Sequence, residues 1–190
     1  MTAVDGARAP KRRVLLLVVV ALAVSAVAAS ATAVALGSRA DLSSSRRRVD
    51  ASWAALRPAL TARYQSLGQA AAVARARLTA DRAVFDDVAK AVSDWPGTAE
   101  WPTDRQVGAA AHLEGLAARL SATVATTPRL RGATDVTEAM RPLEETTIAQ
   151  AGAPYNSAVL AYEQVRGGFP RRLVAGALGY ESRRTLEVPA

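Results

Sequence analysis

At 190 residues the chain suits one domain plus appendages, and its 44 alanines against nine aromatics call for long helix contact rather than bulky packing. The absence of Cys excludes disulfides, thiolate metal sites and the lipid-bearing Cys of a lipoprotein. The net charge of +7 sits at the ends: residues 1–48 carry eight Lys/Arg against two acids and 166–190 five against two, while 49–165 has eleven against thirteen. A nucleic-acid partner is therefore not expected, because such a protein places its basic excess on the folded body.

The first element follows a short basic head, residues 1–13. From Val14 to Leu36 the chain runs VLLLVVVALAVSAVAASATAVAL without a charge. As a helix this run is roughly 34 Å long, enough to cross a hydrocarbon core of about 30 Å. Ala29-Ser30-Ala31 and Ala31-Thr32-Ala33 also fit a signal-peptide cleavage site. The uncharged run exceeds the roughly 7–15 residues of a signal h-region, so the reading is a membrane anchor contacting the lipid bilayer. Lys and Arg tie at four on either side of it. The tight Lys11-Arg12-Arg13 cluster favours a cytoplasmic N-terminus, a plasma-membrane location and a bundle outside. Residues 37–48, ending in Arg46-Arg47-Arg48, form a basic juxtamembrane segment suited to headgroups.

Residues 49–187 are expected to fold as the soluble part. Val49, Trp53, Leu56, Leu60, Tyr64, Leu67, Ala71, Ala74, Leu78, Phe85, Val88 and Val92 step by threes, fours and one seven. That predicts one helix of about 50 residues, bent at Pro58 and Gly68 and stopped at Ser93-Asp94-Trp95-Pro96-Gly97. Thr103-Asp104-Arg105-Gln106 has the form of a capping box, opening a second helix that ends at Thr126-Thr127-Pro128. A third pattern starts near Asp135, is interrupted by Pro142, Gly152 and Pro154, and stops at Gly167-Gly168. A short helix over 173–180 follows. No segment alternates with the period of a strand. The fold class is all-α: an antiparallel bundle of three long helices plus a short C-terminal helix, preceded by one N-terminal transmembrane helix.

Unequal helix lengths leave the row Val49, Trp53, Leu56 and Leu60 without an expected partner in the chain. That row is read as an association face for a second copy or another membrane protein. In PYNSAVLAYEQVRGGFP, Tyr155 and Tyr162 with Val159 between them are read as the core edge of helix three. Phe169 is expected to plug the end of the bundle where the chain turns at Pro170.

Chemistry-bearing groups are few. His112 is the single histidine and lies two residues from Glu114, on a different helical face, so it is read as a boundary residue. No catalytic residue, metal site or cofactor is expected. Asp86-Asp87 and Glu144-Glu145 are read as solvated helix faces, and as candidates for a carboxylate site they carry the alternative reading of a hydrolase or metal-dependent envelope enzyme. Arg171-Arg172 and Arg183-Arg184 are read as solvated charges far from the bilayer, with a site for an acidic partner as the alternative.

Trp53 with Leu56, Leu60, Arg63-Tyr64 and Leu67, then Pro128-Arg129-Leu130, Leu143-Glu144-Glu145 and Ile148 resemble the LemA family. The fullest match is Tyr155-Asn156, Val159, Tyr162, Phe169-Pro170, Leu173-Val174-Ala175 and Gly179-Tyr180, similar to the family's "YN..V..YN..i..FP" run. Glu163 stands where that run has its second Asn. The resemblance implies a membrane-anchored bundle of long helices and no defined reaction. The functional expectation is a non-enzymatic envelope scaffold or interaction protein.

Overall fold

The computed structural model describes residues 9–78, 83–145 and 148–187, with the side chains of 9–34 described only at Val19, Leu22 and Ser25. Seven α-helices are seen among these residues: α1 (Ala9–Ala76), α2 (Ala83–Asp94), α3 (Thr103–Thr126), α4 (Pro128–Arg131), α5 (Thr134–Glu145), α6 (Ile148–Gly167) and α7 (Arg171–Ala177). A 3-10 helix, Trp95–Glu100, joins α2 to α3. No strand occurs among the described residues, as the lack of period-two alternation predicts. The expected span 14–36 lies within helical α1, but most of its side chains fall outside the described residues. Among the described residues no helix is long and apolar enough to cross a membrane.

The chain divides into two compact units. One comprises Met1–Ser43 and Arg166–Glu181, the other Ser44–Val165 and Ser182–Ala190. Residues 166–181, expected inside the 49–187 bundle, thus belong with the segment before residue 44.

In the larger unit the long helical pattern does not run unbroken to Val92. α1 ends at Ala76, where Arg77 and Leu78 donate to carbonyls three residues back and tighten the last turn. The seven-residue step from Leu78 to Phe85 marks this reversal, not a skipped turn. α2 then returns along α1: Asp86 pairs with Arg75 at 2.9 Å and Trp95 meets Tyr64 edge-on at 4.8 Å. Gly68 lies within α1, which is helical on both sides of it. It is a point of close approach, since a Cβ there would lie 3.2 Å from Val92 Cγ1. Pro58 likewise sits inside an α1 that continues past it.

α3 runs parallel to α1, with Thr103 donating to Asp50 at 2.9 Å, Trp53 to Gln106 at 2.7 Å, and Tyr64 to the Ala110 carbonyl at 3.2 Å. α5 and α6 descend again. Arg77 meets Asp135 at 2.7 Å, Arg63 donates to the Leu143 carbonyl at 2.6 Å, and Trp53 packs on Tyr155 at 5.2 Å. The chain therefore makes four passes where three were expected.

This fourth pass corrects the proposed association face. Val49, Trp53, Leu56 and Leu60 are all buried within the chain and continue a spine through Tyr64, Leu67, Ala71 and Ala74. An apolar side chain so enclosed contributes about 1.5–3 kcal/mol relative to exposure. The capping box is also replaced. Pro102 stands at the N-cap without a side-chain bond, and Gln106 instead donates to the carbonyls of Ala99 and Trp101.

Candidate functional site

Two constellations in the larger unit draw on the residues singled out by the sequence. The first centres on Trp53, Tyr155 and Asn156. The Tyr155 hydroxyl donates to the Arg184 carbonyl at 2.8 Å. Asn156 Nδ2 donates to the Leu186 carbonyl at 3.1 Å, and the Leu186 N–H returns to Asn156 Oδ1 at 2.8 Å. The amide side chain thus pairs with one residue's backbone much as a strand neighbour would. Glu163 continues the clip by accepting from Ser182 Oγ at 3.0 Å and from the Arg183 N–H at 2.7 Å. A carboxylate oxygen is an acceptor, so Glu163 suits both of these donors.

The object held is an extended C-terminal arm, residues 182–187. Arg183 is buried rather than solvated: it pairs with Asp104 and reaches Asp50 at 3.6 Å. Leu186 is buried and comes to within 3.7 Å of where a Gly152 side chain would begin. The sequence carried no periodic signal for this arm because a six-residue extended segment has no helical repeat. Burial raises the Tyr155 hydroxyl well above its usual pKa of 10.0, and the Asp104 charge adds to the effect. Tyr162 and Val159 are buried beside it, as expected for a core edge.

Deeper in the unit, polar groups tie helix to helix. Arg63 grips Glu114 at 3.1 Å, with both side chains largely removed from water. Arg57 stacks over Trp95 at 4.6 Å and also donates to Gln106 and to Thr98 Oγ1. Tyr64 is shifted far up from 10.0, first by burial and then by the Glu114 charge.

The second constellation is a groove of about 380 Å³ between α2, the 3-10 helix and α3. Buried Trp95, Leu113 and Leu116 contribute apolar walls, and half-exposed Trp101 stands beside them. Exposed His112 lies on the groove while Glu114 points into the core, which separates them as their spacing predicts. The rim carries both signs: Lys90 pairs with Asp94 at 2.8 Å and Arg119 approaches Asp87 at 4.0 Å. The bond to Asp94 raises the Lys90 pKa above 10.5. A groove of this size and mixed lining suits a short segment or small amphipathic ligand.

The candidate acids are not gathered. Asp86 and Asp87 are on α2, each facing an arginine, and Glu144 and Glu145 are on α5. Among the described residues no three His, Asp or Glu side chains cluster as metal ligands. Phe169 does not plug the bundle. It is 84% exposed, and its bond to Pro170 is cis. Within the smaller unit Arg171 meets Asp41 at 2.7 Å, and α7 closes at Gly179, whose φ of 69° lets the Tyr180 N–H reach the Ala175 carbonyl at 2.9 Å.

The model of the LemA family matches residues 52–190. No curated protein and no solved structure matches the chain. The family match spans Trp53, the Tyr155-Asn156 clip and the arm that the clip holds, and the chain belongs to the LemA family.

Proposed function

We propose that the protein is a single-pass, membrane-anchored, non-enzymatic scaffold of the cell envelope, with its N-terminus cytoplasmic and the larger unit outside. The observation that carries this reading is the continuity of α1: one helix from Ala9 to Ala76 includes both the uncharged run 14–36 and the spine on which the larger unit packs. Val19, Leu22 and Leu36, the large apolar residues described in that run, are exposed, which suits lipid as their neighbour. The buried ionic groups support a structural role, since Arg63, Glu114 and Arg183 are each spent on another helix or on the arm. In this reading the groove beside Trp101 receives the partner.

The test uses the full chain in native membranes with a photocrosslinking side chain at position 101. Alkaline carbonate is expected to leave the protein in the membrane pellet, and light to give discrete adducts that His112→Glu abolishes. Release by carbonate would overturn the anchor. Loss of genetic complementation in a D86N/D87N/E144Q/E145Q variant that still folds and still crosslinks would favour a carboxylate-dependent enzyme instead.

A further inference from the structure

We propose that α7 and the Phe169-Pro170 turn before it form a second membrane contact, an apolar foot that rests in the lipid interface beside the anchor; the inference rests on the anchored reading above. Large exposed hydrophobic residues are concentrated in the smaller unit. Val19, Leu22, Leu36, Phe169, Leu173 and Leu178 belong to it, while the larger unit exposes Trp101 and Leu160. Phe169 is 84%, Leu173 62% and Leu178 50% exposed.

Their exposure is held in place. Ala175 is buried, Arg171 is fixed to Asp41, and the turn at Gly179 closes the helix behind them. With Ala175 turned inward, Leu173, Gly176 and Ala177 share an exposed face at helical spacing.

The anchor end of α1 fixes the depth. Asp41, the partner of Arg171, lies five residues beyond Leu36, which is about 7.5 Å along the helix. The headgroup layer on each side of the hydrocarbon core is roughly 5–8 Å thick. The foot therefore sits at headgroup level, where apolar side chains beneath a basic rim insert about 5–10 Å toward the acyl chains. Arg39 and Arg172 are exposed in the same unit and supply that rim. They also select the occupant: lipid phosphates complement them, whereas a second copy would oppose arginine with arginine.

The native chain has no Cys, so single-cysteine variants report cleanly. Full-length protein with Leu173→Cys carries an environment-sensitive fluorophore in vesicles of mixed phosphatidylglycerol and phosphatidylcholine. The quencher is a phosphatidylcholine bearing a spin label near the top of its acyl chain. Leu22→Cys and Leu36→Cys report the anchor, and Leu160→Cys reports the exposed larger unit. Quenching at position 173 is expected to lie within about twofold of that at position 36, with position 160 unquenched. Quenching at 22 and 36 with position 173 as silent as 160 would overturn the foot and leave the anchor standing. Silence at 22 as well would remove the anchor and the foot together. Lipid-independent disulfide linkage of two copies through position 173 would assign the face to a second copy and overturn the inference.

Discussion

Glu114 shows how one residue can be misjudged from its neighbours in sequence. It stands two residues from His112, yet its side chain is only 1% exposed and is held by Arg63. Breaking such a pair strands the remaining charge, which costs about 3–5 kcal/mol. Glu114→Ala is expected to lower stability by that amount in urea unfolding of the detergent-solubilised chain. Arg63→Met together with Glu114→Met should recover most of the loss, because no buried charge then remains. An additive double variant would show that Arg63 does not depend on Glu114. The signature residues were legible as important from sequence, but their task was not. Asn156 reads as part of a pattern until Leu186, thirty positions later, arrives beside it.

The helices themselves were largely legible, because apolar spacing near 3.6 and the stops at Trp95-Pro96-Gly97, Thr127-Pro128 and Gly167-Gly168 are local signals. The reversal after Ala76 was hidden, since the apolar rows before and after it share a compatible helical phase. Where two helices touch, glycine acquires opposite meanings. Gly115 on α3 has open space where a side chain would begin, so Gly115→Ala should stabilise by about 0.5–1 kcal/mol through backbone entropy. A side chain at Gly68 would begin 3.2 Å from Val92 Cγ1, and a helical valine is stiff about χ1. Gly68→Ala is expected to gain nothing or to lose up to about 1–3 kcal/mol by overpacking. Thermal melts of the two variants check the contrast, and equal gains would remove the close approach from the account.

At the scale of the whole molecule, the parity of passes decides what meets what. With four passes in the larger unit, Arg183 lies between Asp50 and Asp104, while Arg171 meets Asp41 within the smaller unit. The two shifted tyrosines sample both halves of that assembly: Tyr64 bonds α1 to α3, and Tyr155 bonds α6 to the arm. Both have folded pKa values raised above the usual 10.0. Their contribution is fully present below about pH 10 and is lost as pH rises from there toward the folded values. A fully shielded phenol removes up to about 1.4 kcal/mol per pH unit in that range. Phenolate absorbance followed with circular dichroism should show Tyr64 and Tyr155 ionising only as the helices melt. Ionisation of all four tyrosines before any loss of helicity would contradict this.

Composition and local spacing were enough to make the chain all-helical and to place its uncharged run, because helix propensity, period and turn residues act over a few positions, while the family showed in the resemblance of its signature residues. The number of passes, the burial of Val49, Trp53, Leu56 and Leu60, the clip on the arm and the exposure of Phe169 were decided only in three dimensions. Each depends on which distant segment arrives beside a residue, and a periodic pattern carries no record of its partner.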